Sequence, residues 1–277
     1  SPEGRIQGMS LRVRYGNINI PRYLDWVEEN REYYKNIPGE KIQAIRERNE
    51  KNLDFHLPGD LKEFFKLHPE IEHLPHESYF TCAKLFPGEL NCNATRIDGL
   101  NPNRSENITK AEIACRRQAF ALLKLLQKHV PGFEDARLIE TAPEIGIRES
   151  RCIKGDYVLT YEDCVSGKEF PDSICRNEEI NFDLHDPQHY SCNPSKVSVS
   201  IPYRCLLPEG LENILVVGRG ASADHIANSG IRQMRTVFII GEAAGIAAAL
   251  SVDNGVTPRE LPYENLKNVL LEKGVGI

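Results

Sequence analysis

The stretch ENILVVGRGASADHIANSGIRQMRTVFIIGEAAGIAAALSVDN, residues 212–254, contains the clearest structural signals in the chain. The apolar run Leu215–Val217 predicts a short buried strand that ends at Gly218. Because glycine has no side chain, a ligand could approach the backbone closely at such a strand end. The alanine-rich residues 236–250 predict an apolar helix that starts on or just before Gly241. We therefore expect a ligand-binding turn followed by a largely apolar helix.

The helix start at Gly241, with the sequence GEAAG over residues 241–245, is a second candidate contact for a ligand. N–H groups in the first turn of a helix have no partner within the helix, and they give that end a partial positive charge. A phosphate or another electron-rich group needs donors of this kind. The strand end and the helix start are therefore the two places where the sequence predicts cofactor binding.

One interpretation of this stretch is a self-contained dinucleotide site. The segment Gly218–Ala223 fits the pattern GxGxxA after a strand, and Glu242 follows at roughly the spacing of the acidic residue in that fingerprint. This interpretation predicts an NAD-binding protein of the Rossmann type. Against it, Asn228-Ser229-Gly230 would break the helix that has to follow the glycines, and too few residues remain to complete a nucleotide-binding sheet.

The rest of the chain mixes strands and helices without a regular βαβ repeat. The hydrophobic patterns predict strands at 9–15, 78–85, 90–97, 136–153 (two strands), 180–184 and 197–205. They predict helices at 22–35, 40–49, 61–67, 109–129, between Thr160 and Cys164, and at 263–273. Thr109 is the expected N-cap of the long helix, with Glu112 three residues later as in a capping box. This mixture predicts an α+β fold with a mixed or antiparallel sheet and a helical insertion near 20–75.

Composition excludes several classes of partner. The formal net charge of −6 is mild, which argues against nonspecific binding to nucleic acid or to an anionic membrane. The longest apolar run, at 236–251, is shorter than the ~20 residues of a membrane helix and contains Gly241, Glu242 and Gly245. No two of the eight cysteines have CxxC spacing, so we expect no metal site and mostly reduced thiols. We expect a cytoplasmic protein with neither nucleic acid nor a membrane as partner.

Several segments in chain order carry a resemblance to a known family. They are QGMSLRV at 7–13, NATRI at 93–97, EIGIRESR at 144–151, IKGDYVLT at 153–160, IPYRCL at 201–206 and NILVVGR at 213–219. Together they resemble the large family of FAD-dependent oxidoreductases whose flavin domain is of the glutathione-reductase type. The match at 144–160 is the most specific one, and the segments span nearly the whole chain.

The resemblance implies a domain assignment and a missing partner. Residues 1–210 correspond to the substrate domain, and residues 211–277 correspond to the C-terminal segment of an incomplete FAD-binding α/β domain. In this family a GxGxxG unit upstream of the strand matched by 7–13 binds the ADP part of FAD. We therefore expect an N-terminal FAD-binding part, supplied by the same gene product or by another chain. Without it, we expect the chain to be inactive and to bind FAD weakly.

The resemblance also implies functional residues. Those expected to contact the FAD pyrophosphate or ribityl chain are Gly218, Arg219 and Ser222, and those expected at the pyrimidine end of the flavin are Gly241, Glu242, Ala243 and Ala244. The expected catalytic residues are His225, Arg148 and Arg232. His225 is a candidate general acid or base because histidine titrates near neutral pH. Further candidates are His185, Tyr203 and Arg204.

The function implied is hydride transfer between a small-molecule substrate and FAD, in which the flavin carries the redox chemistry. The alternative from another class is a non-catalytic substrate-domain subunit or binding module without flavin. The NAD-binding interpretation of Gly218–Ala223 is the second alternative.

Overall fold

The computed structural model of the chain describes residues 6–30, 43, 54–57, 80–84, 86–184 and 197–277. The chain divides into two compact units. We call residues 8–147 the N-terminal unit, and residues 1–7 together with 148–277 the C-terminal unit. The helices expected at 40–49 and 61–67 lie almost wholly outside the described residues.

The N-terminal unit contains a five-stranded sheet in which every paired neighbour is antiparallel. Its strands are β1 (Arg12–Gly16), β2 (Asp54–Leu57), β3 (Phe80–Lys84), β4 (Leu90–Asn93) and β5 (Arg137–Thr141). They lie in the order β2-β3-β4-β1-β5. The expected hairpin through Pro87-Gly88 is confirmed, because β3 pairs with β4 and Gly88 has a φ of +71°. Of the two strands expected at 136–153, only β5 forms.

Two helices, α1 (Ile20–Glu29) and α2 (Ser105–His129), pack with this sheet. The buried side of α2 presents residues at helical spacing, such as Ala119, Leu122 and Leu126, to a core that includes Tyr15. The Tyr15 hydroxyl donates to the Ala119 carbonyl at 2.7 Å, which satisfies a polar group that the core would otherwise leave unpaired.

The expected N-cap of α2 was wrong. The helix begins at Ser105, so Thr109 lies in its second turn and donates its hydroxyl back to the Ser105 carbonyl. Glu112 instead forms an ion pair with Arg116 and accepts the Ile145 backbone N–H. One partner of Glu112, Arg116, lies on the same helix, and the other, Ile145, lies more than thirty residues later. The local capping pattern therefore did not decide where the helix begins.

The described residues of the C-terminal unit form a two-stranded antiparallel sheet and four helices. Its elements are α3 (Tyr161–Val165), β6 (Ser173–Ile180), β7 (Val197–Pro202), α4 (His225–Ile231), α5 (Met234–Asn254) and α6 (Tyr263–Glu272). Short 3-10 turns lie at Tyr203–Leu206 and Gly218–Gly220. The short helix expected after Thr160 is confirmed, and Thr160 and Asp163 cap it reciprocally. The core joins both strands to α4, α5 and α6.

Two elements expected in the stretch 212–254 differ from the sequence prediction. Leu215–Val217 forms no strand, because no neighbouring strand in the described chain completes a ladder; Val216 N–H donates to the Leu206 carbonyl at 2.9 Å. Helix α5 begins at Met234 rather than near Gly241. Thr236 and Ile240 are fully buried at a spacing of four residues, so the core-facing stripe extends the helix by two turns at its start.

The expected α+β fold class is confirmed by these antiparallel sheets and helices. Packing defines the two compact units, and it does not test the assignment of 211–277 to a flavin domain, which stays a prediction.

By length and composition alone, α5 is able to cross a membrane, although an apolar core helix of a soluble protein meets the same criteria. One such helix is weak evidence, so the expected absence of a membrane partner also stays a prediction.

Two glycines of the N-terminal unit allow a matched test of its packing. Gly132 and Gly99 both have positive φ, at +92° and +74°. A methyl group on Gly132 would lie 2.5 Å from the Asn19 carbonyl oxygen, whereas one on Gly99 would meet nothing within 4 Å. We expect Gly99→Ala to cost about 1–2 kcal/mol from backbone strain alone. Gly132→Ala should cost clearly more in urea denaturation, and equal losses would contradict the contact.

Candidate functional site

The turn at Gly218–Gly220 offers an accessible stretch of backbone. Gly218 has a φ of +66°, a conformation that favours glycine, and its carbonyl accepts the Ala221 N–H at 3.2 Å. A methyl group on Gly218 would meet no heavy atom within 4 Å. The backbone is therefore open on this side, as the sequence interpretation requires for close approach of a ligand.

The turn is held against the segment that contains the most specific sequence motif. The Arg219 carbonyl accepts hydrogen bonds from Asn228 Nδ2 at 3.2 Å and from Cys152 Sγ at 3.3 Å. The Gly220 carbonyl accepts the Ile153 N–H at 2.9 Å. These hydrogen bonds fix the backbone at Arg219 and Gly220. The Arg219 side chain is exposed to solvent. A fixed backbone with an exposed cation is suited to an anionic group.

Ser222 is fully buried, and its polar groups are already engaged. Its hydroxyl accepts the Gly155 N–H at 3.0 Å, and its backbone N–H donates to the Cys205 carbonyl at 2.9 Å. These bonds anchor the turn to two other segments of the C-terminal unit. Cofactor binding by Ser222 stays a prediction, and its hydroxyl has a structural task in any case.

Helix α4 positions His225. Asp224 caps this helix by accepting the Ala227 N–H at 2.7 Å, and its other oxygen accepts the Tyr161 N–H at 2.7 Å. His225 is therefore the first residue of a helix whose start is fixed from two sides. Its ring nitrogen Nδ1 lies 3.0 Å from Oε1 and 2.8 Å from Oε2 of Glu149.

The His225–Glu149 pair is almost completely buried. The His225 side chain is 9% exposed and the Glu149 side chain 3%. Glu149 Oε2 also accepts the backbone N–H of Gln7 at 2.9 Å. A buried carboxyl group is tolerable only when hydrogen bonds replace its hydration, and the Gln7 N–H and the His225 ring are its partners here. An imidazole held in this way is oriented for proton transfer.

Arg232 extends the same network. It follows α4 directly, and its Nη2 atom donates to Gln7 Oε1 at 3.1 Å and to Asp183 Oδ2 at 2.9 Å. Gln7 contacts Glu149, the partner of His225, through its backbone and Arg232 through its side chain. The structure therefore places two of the expected catalytic residues, His225 and Arg232, in one hydrogen-bond network. Arg148 is half-buried and directly precedes Glu149, and its catalytic role stays a prediction.

The expected contact at Gly241–Ala244 needs correction. Because α5 begins at Met234, these residues lie about two turns inside the helix, where backbone N–H groups bond to carbonyls four residues earlier. Ala243 and Ala244 are buried in the core, whereas Glu242 is exposed. The donors without partners in the helix therefore belong to residues 234–236, because the Val237 N–H donates to the Gln233 carbonyl. The expected helix start at 241 was wrong, and contact of 241–244 with the flavin stays a prediction.

Two buried polar residues of this site, Gln7 and Asn228, were not predicted as site residues, and Glu149 was expected only in a buried network with the arginines beside it. Glu149 lay within the specific motif at 144–151, which was the available signal. Gln7 and Glu149 are 142 residues apart in the chain, so no spacing rule could pair them. Asn228 was interpreted as part of a helix-breaking triplet, yet it lies inside α4 and binds the Arg219 carbonyl.

The remaining candidates serve the fold or fall outside the described chain. The Tyr203 hydroxyl donates to the Pro258 carbonyl at 2.9 Å, and burial raises the pKa of Tyr203 to about 12. Arg204 pairs with Asp172 at 2.9 Å. His185 lies outside the described residues. Cys152, Cys164, Cys175 and Cys205 are free thiols in the described structure.

Comparisons with known proteins give one result. The family model described as FAD dependent oxidoreductase matches residues 3–270. Searches among curated proteins and among solved structures found no match.

The buried hydroxyl of Ser222 allows a test of the anchor to Gly155. Ser222→Ala removes the only side-chain acceptor that this buried N–H has in the described structure, so unfolding of the C-terminal unit should become easier by about 1–3 kcal/mol. Ser166→Ala, at an exposed serine, should change stability by less than about 0.5 kcal/mol. Indistinguishable denaturation curves for the two variants would contradict a structural hydroxyl.

Cys152 provides a chemical probe of the same region. The residue is exposed, but desolvation of its sulfur raises the pKa of the thiol, and the negative charge of Glu149 raises it further. Since the thiolate is the reactive form, alkylation by iodoacetamide at pH 8 should be slower than for a small-molecule thiol. Glu149→Gln should speed it, whereas Glu209→Gln, at an exposed glutamate, should not. Mass spectrometry of the peptide containing Cys152 measures the rate.

Proposed function

We propose, from the premise that the chain belongs to the FAD-dependent oxidoreductase family, that it transfers hydride between a small-molecule substrate and FAD. The family match spans nearly the whole chain, and FAD is the cofactor that membership implies. The flavin domain in this proposal is of the glutathione-reductase type. The observation that carries the proposal is the buried His225–Glu149 pair. His225 lies on helix α4, and Asn228 of the same helix binds the Gly218–Gly220 turn.

The residues of the turn fit a part of FAD. The positive φ of Gly218 and the open space beside it allow a bulky group to approach the backbone. The exposed guanidinium of Arg219 suits a phosphate, because arginine forms paired charge-assisted hydrogen bonds with phosphate oxygens. Gly218 and Arg219 would therefore hold the pyrophosphate or ribityl portion. At the pyrimidine end of the flavin, the first turn of α5 would supply N–H donors.

In this proposal FAD, when bound, supplies the acceptor or donor of the hydride. The chain supplies orientation and proton transfer. His225 exchanges a proton with the substrate, and Glu149 holds the imidazole in place. Arg232 keeps Gln7 and Asp183 together, which fixes the wall of the site beside this pair. Burial of the pair keeps water away from the proton-transfer step.

The proposal includes an N-terminal FAD-binding part, in the same gene product or in another chain. Two features of the C-terminal unit support it. Helix α5 carries exposed apolar side chains at helical spacing. Met234 and Phe238, four residues apart, are each more than 70% exposed. Residues Ile214–Val217 also include exposed apolar side chains and form no sheet within the described chain. A flavin-domain sheet would cover both features.

The NAD-binding alternative lacks support from the local structure. Residues 215–217 are not a strand, and α4 begins at His225 rather than directly after the glycines. Both described sheets are antiparallel, whereas a Rossmann unit is built on parallel strands. A binding module without flavin has no need of a buried carboxylate–imidazole pair, which generally costs free energy to maintain.

Flavin binding tests the proposal directly. The full-length natural gene product should purify with the two visible absorption bands of oxidised flavin. Arg219→Ala should raise the dissociation constant for FAD by roughly 10-fold to 100-fold, from loss of a charge-assisted hydrogen bond. Arg176→Ala removes an equally charged residue whose guanidinium pairs with Glu169, and it should leave FAD affinity unchanged.

The contrary results are equally distinct. A full-length product that is colourless and does not bind added FAD would leave the binding-module alternative standing. Tight binding of NAD by this chain alone would revive the dinucleotide interpretation. Equal losses of FAD affinity in both arginine variants would show that the effect is general electrostatics rather than contact at the turn.

A further inference from the structure

The side of helix α2 that faces away from the core mixes cations with large apolar side chains. Five exposed residues follow one another there at spacings of three and four, so they lie in one line along about four turns of the helix. We call them the outer stripe of α2: Lys110, Ile113, Arg117, Phe120 and Lys124. The buried residues of the helix, such as Ala119, Leu122 and Leu126, lie on the opposite side.

Two large apolar side chains belong to the outer stripe. Ile113 is 49% exposed and Phe120 is 54% exposed. They are seven residues apart, so they lie two turns from each other on the same side of the helix. Single exposed apolar residues are common on protein surfaces. An aligned pair on one helix face is the arrangement by which helices dock, because both side chains contact the partner together.

The charges of the outer stripe all have the same sign. Lys110, Arg117 and Lys124 have neither an ion pair nor a side-chain hydrogen bond within the described residues. A helix face stabilised by its own charges pairs an acidic with a basic residue four positions later, as Glu112 and Arg116 do beside the stripe. The stripe lacks such a pair among its five residues. The whole chain has a net charge of −6, so this positive face departs from its overall composition.

We propose that the outer stripe of α2 is a docking surface for an acidic, amphipathic helix of another protein. Carboxylates of the partner would pair with Lys110, Arg117 and Lys124, and apolar side chains of the partner would cover Ile113 and Phe120. The stripe shares no residue with the candidate flavin site. The proposal therefore stands or falls separately from the proposed function.

A second copy of the chain fits the outer stripe poorly. If two α2 helices paired in antiparallel directions about Arg117, each Lys110 would face Lys124 of the other copy, and the two Arg117 residues would meet. In a parallel pairing each cation would face its own counterpart. Like charges placed opposite each other lower affinity in either arrangement. Charge complementarity therefore favours an acidic partner over a copy of this chain.

The position of Arg117 also favours a protein over a lipid surface. A helix that lies in a membrane interface buries a continuous apolar side and keeps its cations on the polar side. Arg117 lies between Ile113 and Phe120 along the stripe, so insertion of both apolar side chains would draw its charge toward the acyl chains. A carboxylate of a protein partner would instead form charge-assisted hydrogen bonds with its guanidinium.

A synthetic peptide tests the complementarity. The probe is a helical peptide with leucines along one line and glutamates on both sides of that line, and in the control peptide every glutamate is replaced by glutamine. In titrations of the full chain, the acidic peptide should bind. The glutamine peptide should bind roughly 10-fold more weakly or not at all, because it cannot form charge-assisted pairs with the stripe.

Variants of the chain locate the binding surface. Arg117→Glu should weaken binding of the acidic peptide by roughly 10-fold or more, because an attraction becomes a repulsion. Arg176→Glu, at an exposed arginine outside the stripe, should leave it unchanged. Phe120→Ser should also weaken binding, whereas Leu271→Ser should not, although Leu271 on α6 is 53% exposed. Circular dichroism spectra identify any variant that fails to fold.

Photocrosslinking in cells that naturally produce the protein tests whether such a partner exists. A photoreactive amino acid in place of Phe120 should crosslink to another protein, and mass spectrometry should locate the link in an acidic, amphipathic helix. The crosslink should be lost when Arg117→Glu is added. The same amino acid in place of Leu271, which is equally exposed, should not give this product.

The contrary outcomes are specific. Equal affinity for the acidic and the glutamine peptide, or equal affinity of the wild type and Arg117→Glu, would show that charge does not select the partner. Binding to phosphatidylserine vesicles or to duplex DNA, without affinity for the acidic peptide, would assign the stripe to another class of partner. A crosslink from position 120 to a second copy of the chain, or no crosslink there, would also overturn the proposal.

Discussion

The buried carboxylate of Glu149 is the interaction on which the arrangement of the candidate site depends. A carboxylate in a protein interior needs hydrogen-bond donors in place of water, because an uncompensated charge there costs several kcal/mol. Its hydrogen-bond partners here are Gln7 N–H, at the start of the described chain, and His225 Nδ1, in helix α4. One side chain thus fixes two segments that the sequence separates widely. Arg232 ties Gln7 to Asp183 and closes the network from the other side.

The turn that would contact the cofactor is held by backbone hydrogen bonds as well as by side chains. Ile153 N–H donates to the Gly220 carbonyl, Leu159 N–H to the Ser222 carbonyl, and Asp224 N–H to the Leu159 carbonyl. The Ser222 hydroxyl adds a bond to Gly155 N–H. These contacts align the motif at 144–160 with the turn at 218–224. Rigid support of this kind is what a site needs to hold reacting groups within a fraction of an ångström.

Sequence patterns predicted elements well where the deciding contacts were local. The hairpin through Pro87-Gly88 and the capping box of Thr160 and Asp163 depend on residues a few positions apart, and both formed. Predictions were wrong where distant contacts competed. Leu215–Val217 has the composition of a strand but no neighbouring strand within the described chain, and a strand needs a partner to exist. The start of α5 follows the core contacts of Thr236 and Ile240 rather than the small residues near Gly241.

The sequence by itself determined the α+β class, the family and the identity of His225 and Arg232 as candidates, because motifs and periodicities are written in neighbouring residues. Only the tertiary structure decided that Glu149 and Gln7 belong beside His225, since 142 residues separate the two ends of that hydrogen bond. It also decided which backbone donors α5 leaves without partners, because helix ends are fixed by what the helix packs against. Local sequence motifs identified individual residues of the candidate site, and long-range packing determined which of them are in contact.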